Sequence, residues 1–160
     1  MAYKSYAGGW VFANAPGRMN SFYPSANATA TTFIPGNVVT RSADQTMALT
    51  TAVTDTMSGV VISSPYKDRY NFIQTTDLMV QVAYPGSTVY VLSESGAAWT
   101  CGGADIVYMA QTSDDDGHCD DSSSNSATII GYYLYDKFGQ AKDRTTTDEE
   151  LIGALLVGAI

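Results

Sequence analysis

The clearest hydrophobic pattern in the chain runs from Asp77 to Ser93, DLMVQVAYPGSTVYVLS. Its first half alternates apolar residues with a period of two, which predicts a β-strand with one face more deeply buried than the other. Tyr84-Pro85-Gly86-Ser87 follows, and it places Pro and Gly where a type II turn needs a preset φ and a positive φ. β-Branched and aromatic residues resume at Thr88. The pattern predicts a β-hairpin, and an isolated hairpin needs a larger sheet around it to be stable.

Short apolar runs of the same kind recur along the chain, separated by Gly, Asp, Ser and Pro. They predict further strands at residues 37–41, 46–50, 58–64, 105–111 and 127–136. Helical periodicity is almost absent. The pattern therefore predicts an all-β fold, as a small antiparallel β-barrel or β-sandwich.

The C-terminal segment LIGALLVGAI allows two interpretations. Residues 147–150 are suited to begin a helix that continues into LIGALL. Gly153 and Gly158 weaken that helix and favour a closing strand, which we expect here. Glycines also precede the apolar residues of two other runs, at Gly59 and Gly131. A glycine within a strand is typical of a bulge or of a close backbone approach in a barrel.

Residues 1–35 differ from the rest and predict an extended N-terminal arm, followed by a β-rich domain at residues 36–160. The segment is rich in aromatic residues, but Gly and Pro interrupt every run. Large apolar groups on an irregular chain need a surface to cover, which favours contact with a neighbouring subunit or partner. On that interpretation the contact residues are Trp10, Phe12, Phe22 and Tyr23. The alternative is that the aromatic residues fill the core of this domain as short strands and loops.

Composition and charge narrow the choice of partners. The chain has 160 residues, which suits one domain, and it is 45% hydrophobic but only 15% charged. It carries 8 Lys and Arg against 16 Asp and Glu, a net charge of -8, which argues against a nucleic-acid partner. The N-terminus lacks the apolar core of a signal peptide, and no apolar run approaches the ~20 residues of a membrane span. We therefore expect no membrane partner and synthesis in the cytoplasm.

An acidic, serine-rich insert at residues 113–126 is the best candidate for a binding site, although its composition is typical of a solvated loop. Its carboxylates are hard oxygen ligands of the kind that Ca²⁺ prefers, and Gly117 would allow a turn around an ion. The spacing does not match an EF-hand, so we favour a loop without a metal and expect no cofactor. The candidate metal ligands of this loop are Asp114, Asp115, Asp116, Asp120 and Asp121.

The remaining reactive side chains do not form a known catalytic or metal-binding motif. His118 and Cys119, together with Cys101, lack the paired spacing of a zinc site. The sequence leaves open whether the two cysteines form a disulfide. The single histidine lies in the acidic insert, while a catalytic base needs rigid support, and GxSxG, HExxH and phosphate-binding glycine loops are absent. We expect the protein not to be an enzyme.

Four segments in order resemble the capsid decoration, or cement, proteins of tailed bacteriophages: GNVV (36–39), AVTDTMSGVVI (52–62), YPGSTVYVL (84–92) and IIGYYLYD (129–136). The resemblance covers about residues 36–136. It implies a small β domain without an active site, which assembles as a homotrimer on the outer surface of the virion. It also implies that the protein binds the major capsid protein and cements adjacent subunits after the head expands, following synthesis in the host cytoplasm.

Two other functions fit the same sequence. A carbohydrate-binding β module would use exposed aromatic residues such as Trp99, Tyr132 and Tyr133 as a platform on which sugars stack. A tail or fibre subunit is the other possibility, and such a subunit would polymerise where a cement protein forms a closed oligomer.

Overall fold

The structure, a computed structural model, describes residues 13–14, 19–24, 34–43, 46–63, 80–102, 105–110, 117–122 and 127–157. These residues form strands and turns, so the all-β prediction is confirmed. No helix that is long and apolar enough to cross a membrane occurs in this part of the chain.

The strands of the described residues are numbered in chain order. They are β1 Ala13–Asn14, β2 Met19–Pro24, β3 Val38–Ala43, β4 Thr46–Leu49, β5 Gly59–Ser63, β6 Val80–Ala83, β7 Thr88–Ser93, β8 Ala98–Trp99, β9 Ile106–Met109, β10 Cys119–Asp120, β11 Ile129–Tyr135, β12 Arg144–Thr145 and β13 Glu150–Leu156. Each of the five runs predicted outside the hairpin and the tail overlaps one of these strands, and β13 confirms the closing strand expected at the tail.

The first half of the chain forms a closed barrel in the order β2-β4-β3-β5-β6. Its pairs are antiparallel except for β2 with β4, which run parallel. The barrel is therefore mixed. Two parts of the 1–35 segment lie in the sheets, because β2 belongs to this barrel and β1 pairs with β7.

The second half forms a ring of strands that also closes on itself. The sheet order is β1-β7-β10-β9-β11-β13, and β13 pairs back to β7 over six residues, from Leu155 with Thr88 to Glu150 with Ser93. Strands β7, β10, β9, β11 and β13 thus form a closed ring, with β1 on the edge of β7. Only the contact of β10 with β7 is parallel in this ring. Strands β8 and β12 form a separate two-stranded sheet.

The hairpin predicted at residues 77–93 is wrong in its pairing, although its turn is correct. Gly86 has a φ of 93°, and Ser87 N donates to Tyr84 O at 3.2 Å, as a type II turn requires. The strands on either side nevertheless enter different sheets, with β6 in the barrel and β7 in the ring. Leu156 O accepts a hydrogen bond from Gly86 N, so the turn is bonded to β13 instead of closing a hairpin.

One hydrophobic core joins the barrel and the ring. It includes Val38 and Val60 from the barrel and Val91 and Ile152 from the ring, all fully buried. Trp99 is the largest of the fully buried side chains. The two closed sheets therefore pack as one domain, and the ring residues that alternate with the core residues face outward.

The glycines expected at close backbone approaches are confirmed. A Cβ atom on Gly59 would overlap the backbone oxygen of Ala83, and one on Gly131 would overlap that of Leu155. At Gly153 the obstacle is an aromatic ring, that of Tyr135. These positions let neighbouring strands approach more closely than a side chain allows.

Candidate functional site

Apolar side chains form a continuous row on the outer face of the ring. Tyr132 of β11 pairs with Ile106 of β9 on one side and with Leu155 of β13 on the other. The next residue of each strand belongs to the buried core, so these three side chains point outward. Ile129 pairs with Tyr108 one step along the same strands. We call Ile129, Tyr132 and Leu155 the outer patch; Ile129 and Leu155 are each 37% exposed.

An open groove of about 430 Å³ adjoins the outer patch. Its lining combines apolar and acidic side chains: Ala98, Asp105, Ile106, Tyr108 and Asp121. Ile106 and Tyr108 are the pairing partners of outer-patch residues, so the groove and the patch are continuous along β9 and β11. Together they present an apolar patch beside a groove whose exposed lining is mainly polar, and such a mixture of apolar and polar surface is common at protein interfaces.

Backbone hydrogen bonds hold both carboxylates of the groove in place. Asp121 Oδ2 accepts from Ala98 N at 2.7 Å, and Asp105 Oδ2 accepts from Thr100 N. Neither carboxylate forms an ion pair with a cation in the described part of the chain. Asp120 lies beside them, and burial, followed by the effect of Asp121, raises its pKa above the ordinary value. Backbone hydrogen bonds thus fix the position of both groove carboxylates.

The turn after β11, residues 136–140, exposes Phe138. This side chain is 68% exposed, the highest value for a large hydrophobic residue in the described ranges. Asp136 Oδ1 accepts hydrogen bonds from Phe138 N and Gln140 N, both at 2.9 Å, and Asp136 N donates to Gln140 O at 2.9 Å. We call residues 136–140 the Phe138 turn. Its backbone is held in one conformation while its apolar tip faces solvent.

Ion pairs anchor this turn to β12 and β13. Buried Glu150 accepts hydrogen bonds from Arg144 Nη2 at 2.6 Å and from Lys137 Nζ at 2.7 Å. Burial raises the pKa of Glu150, but the hydrogen bonds from Arg144 and Lys137 outweigh it and hold the pKa below the ordinary value. Asp136 is fully buried and lies 3.3 Å from Lys142 Nζ. Ion pairs thus hold the base of the turn, and the two carboxylates of these pairs, Asp136 and Glu150, are buried.

Two of the four hypothesised N-terminal contact residues lie outside the described residues. Trp10 and Phe12 lie outside them. Phe22 and Tyr23 lie in β2, where they pair with Val80 and Thr46. The contact hypothesis for these four residues stays a prediction.

The interpretation of the acidic insert as a solvated loop is wrong for Gly117, His118 and Cys119, which are buried. Gly117 O accepts from Val38 N at 2.6 Å, and the short strand β10 pairs with β9 and β7. Part of the insert therefore belongs to the ring. Strand β10 lies between β7 and β9, which do not pair with each other, and bonds to the backbones of both.

Only two of the five candidate metal ligands lie in the described residues. Asp114, Asp115 and Asp116 lie outside the described residues, while Asp120 lies in β10 and Asp121 follows it. Within the described ranges, no three His, Cys, Asp or Glu side chains are grouped so as to hold a metal ion.

Both cysteines are free thiols, which answers the question that the sequence left open. Cys119 is buried in the core and Cys101 is half-buried. Burial, and then the nearby charges of Asp120 and Glu94, raise the pKa of the Cys119 thiol well above its ordinary value. The thiol of Cys119 is therefore kept protonated and shielded.

The aromatic platform suggested for a carbohydrate-binding module does not form. Trp99 and Tyr133 are 1% and 3% exposed and stack on each other with ring centroids 5.7 Å apart. Trp99 Nε1 donates to Ser93 Oγ at 3.2 Å, and Tyr133 Oη donates to Lys142 O at 2.7 Å. Burial, with a smaller effect of Asp136, raises the pKa of Tyr133 to about 12. Only Tyr132 of the three is accessible, so the pair Trp99 and Tyr133 is a structural element.

The outer patch, the groove and the Phe138 turn were not identified from the sequence. The alternation in residues 105–111 and 127–136 indicated that every second side chain faces outward. It did not indicate that the outward residues of three strands align in one row, because that depends on the register between strands distant in sequence.

Comparison with protein-family models and with curated proteins found no match to this chain.

Proposed function

We propose that the protein is a structural, non-enzymatic virion component of a tailed bacteriophage, which binds the outside of the expanded capsid and cements adjacent major capsid subunits. The observation that carries the proposal is the outer patch with its adjoining groove. Contiguous apolar surface on a folded domain is typical of a protein-binding site, and here it has a polar border.

The strands beneath this surface suit a binding face that does not rearrange. Tyr132 lies on a strand paired on both edges, and Leu155 lies on β13, which pairs with β7 and β11. Side chains on paired strands over a buried core lose little freedom on binding, so more of the contact energy appears as affinity. A partner that binds only the expanded lattice then stabilises that lattice by mass action.

The segments that resemble decoration proteins also support the proposal. Segments 36–39 and 52–62 contribute to β3 and β5 of the barrel. Segments 84–92 and 129–136 contribute to β7 and β11 of the ring. The resemblance therefore concerns strands of both halves of the framework, including the strand that carries Tyr132.

The decisive experiment is cryo-electron microscopy of the parent phage, which peptide masses from purified virions would identify. We expect density for this chain outside the shell at three-fold or quasi-three-fold positions. Density in the tail would replace the proposal with a tail or fibre subunit. Absence from every virion would overturn it.

A matched pair of variants tests whether the outer patch makes the contact. Leu155→Glu places a charge in the patch, and Thr54→Glu places the same charge at an exposed position of the barrel half. Each variant is added to expanded heads that lack the protein, and occupancy is measured by co-sedimentation. We expect Leu155→Glu to lose binding and Thr54→Glu to retain it; equal binding would exclude the patch.

The N-terminal hypothesis is tested by a deletion that spares the strands. Residues 19–24 form β2 of the barrel, so a deletion that includes them would open the barrel as well as remove the arm. Deleting residues 2–11 removes Trp10 and leaves β1 and β2 intact. We expect weaker capsid binding by this truncated protein, and unchanged occupancy would refute a role for this part of the arm.

A further inference from the structure

We infer that residues 117–121 act as a strap that locks the barrel, the ring and the two-stranded sheet together, and that the ring stays closed only while Gly117 is seated against the barrel. The inference concerns the folded protein by itself and does not depend on capsid binding. It rests on the hydrogen bonds of five consecutive residues, which reach all three sheets.

The strap begins in the barrel. Gly117 is buried, its N donates to Thr50 O at 2.9 Å, and its O accepts from Val38 N at 2.6 Å. Asn37 Nδ2 donates to the same oxygen over a longer distance, 3.5 Å. Val38 begins β3 and Thr50 directly follows β4, so Gly117 is bonded to the ends of two neighbouring barrel strands. Leaving this seat would break both backbone hydrogen bonds of a buried residue, which is costly.

The middle of the strap closes the ring. Cys119 pairs with Met109 of β9 and with Ser93 of β7, and Glu94 N donates to Cys119 O at 2.9 Å. Strand β10 has two residues, and so short a strand forms few hydrogen bonds of its own. The closure between β7 and β9 therefore depends on what positions β10. The barrel does so, because it holds Gly117 two residues earlier in the chain.

The end of the strap holds the two-stranded sheet. Asp121 Oδ2 accepts a hydrogen bond from Ala98 N of β8 at 2.7 Å. A sheet of two strands is marginally stable by itself, so this bond helps to fix β8 against the ring. Asp121 and Ala98 also line the groove. Release of the strap would therefore loosen the ring and one wall of the groove together.

The barrel end of the strap needs a glycine. Gly117 has a φ of 78°, a left-handed conformation that residues with a Cβ atom adopt only at a cost. A Cβ atom at this position would also lie 3.0 Å from Asn37 Nδ2 and 3.1 Å from Leu49 Cδ2, which is tighter than ordinary contact. Gly102 has nearly the same φ, 81°, but a Cβ atom there would meet nothing within 4 Å. Gly102→Ala is thus a matched control that strains the backbone without crowding the seat of the strap.

The thiol of Cys119 reports whether the strap is seated. It is fully buried, so a thiol reagent reaches it only when the strap opens or the whole protein unfolds. The two routes differ in their dependence on urea, because global unfolding exposes far more surface than a local opening. The rate of labelling by iodoacetamide is measured at several urea concentrations below the unfolding transition. Peptide mass spectrometry scores Cys101 separately.

The urea dependence decides between coupling and its absence. We expect the labelling rate of Cys119 to rise steeply with urea in the wild type and in Gly102→Ala, since both are labelled through global unfolding. Gly117→Ala should be labelled through local opening, at a rate without urea that is about 10-fold or more above the wild type and depends only weakly on low urea. A steep dependence in Gly117→Ala, or a weak one in the wild type or Gly102→Ala, would overturn the inference.

A milder variant, Asn37→Asp, provides the test if Gly117→Ala does not fold. Asp keeps the side-chain oxygen that accepts from Ile34 N at 2.8 Å, and it replaces the donor to Gly117 O by a second oxygen. We expect faster labelling of Cys119 without urea and a weaker urea dependence than in the wild type. Labelling with the rate and the urea dependence of the wild type would contradict the inference. Circular dichroism checks that each variant is folded.

Discussion

The aromatic ring of Tyr135 packs directly on the backbone of Gly153 in the neighbouring strand. The two residues are paired between β11 and β13, and a Cβ atom on Gly153 would overlap the ring. Tyr90 lies on the other side of Gly153, paired with it from β7, and its ring meets that of Tyr135 edge to face with centroids 5.5 Å apart. The absence of a side chain at Gly153 lets two tyrosines cover the strand between them.

This relationship predicts a specific cost for Gly153→Ala. The added methyl group must displace the Tyr135 ring, and overpacking of this kind costs about 1–3 kcal/mol. We expect the free energy of unfolding in urea to fall by that amount. The double variant Gly153→Ala with Tyr135→Ala is the control, because removing the ring removes the overlap. If the two substitutions are simply additive, the overlap is not the cause.

The stacked pair Trp99 and Tyr133 predicts a large loss of stability for Trp99→Ala. Trp99 is fully buried beside the strands of the ring, and truncating a buried tryptophan costs about 3–5 kcal/mol. Trp99→Phe keeps an aromatic partner for Tyr133 and should cost less, although it leaves Ser93 Oγ without the indole donor. Equilibrium unfolding measures both variants. A loss below about 1 kcal/mol for Trp99→Ala would contradict the packing described here.

The ion pairs of Glu150 predict that acid destabilises the protein. The folded protein holds the pKa of Glu150 below its ordinary value of 4.5, so its contribution to stability is present above that pH and is lost as the pH falls through the lowered pKa. We expect the free energy of unfolding to decrease as the pH falls below about 4.5. Glu150→Gln should make this decrease shallower, with Asp148→Asn as the exposed control. An identical decrease in wild type and Glu150→Gln would refute this role of Glu150.

The two thiols should differ in reactivity. Cys119 is buried with a raised pKa, while Cys101 is half-buried, and only the thiolate reacts readily. We expect a thiol reagent such as an iodoacetamide to label Cys101 in the native protein and Cys119 only after unfolding, as read by peptide mass spectrometry. Equal native labelling would show that the core opens, and an intact mass lacking two hydrogens would show a disulfide.

The local chemistry of this chain could be predicted because it depends on neighbours in sequence. The type II turn at residues 84–87 needs only Pro85 and Gly86 in their positions, and Gly86 adopts the expected positive φ. The strand at Glu150–Leu156 likewise agrees with the low helix propensity of Gly153. The same local logic identified the close backbone approaches at Gly59 and Gly131.

The pairing of strands could not be predicted in the same way. The sequence around Pro85 predicts that β6 and β7 pair, yet β7 pairs with β13, from Ser93 with Glu150 to Thr88 with Leu155. A strand can pair with another strand on each of its two edges. Which strands pair depends on the packing of the whole core. For the same reason the composition of residues 113–126 favours a solvated loop, although Cys119 within this insert is part of the ring.

The alternation of apolar and polar residues, together with the turn residues, thus determined that the protein is all-β and where its principal strands and its tail strand lie. Only the tertiary structure decided which of those strands meet, and so brought Ile106, Tyr132 and Leu155 into one outward-facing row and buried Trp99 against Tyr133. The physical reason is that a period of two specifies which side chains share a face of one strand, whereas a binding surface depends on the register between strands that are distant in sequence.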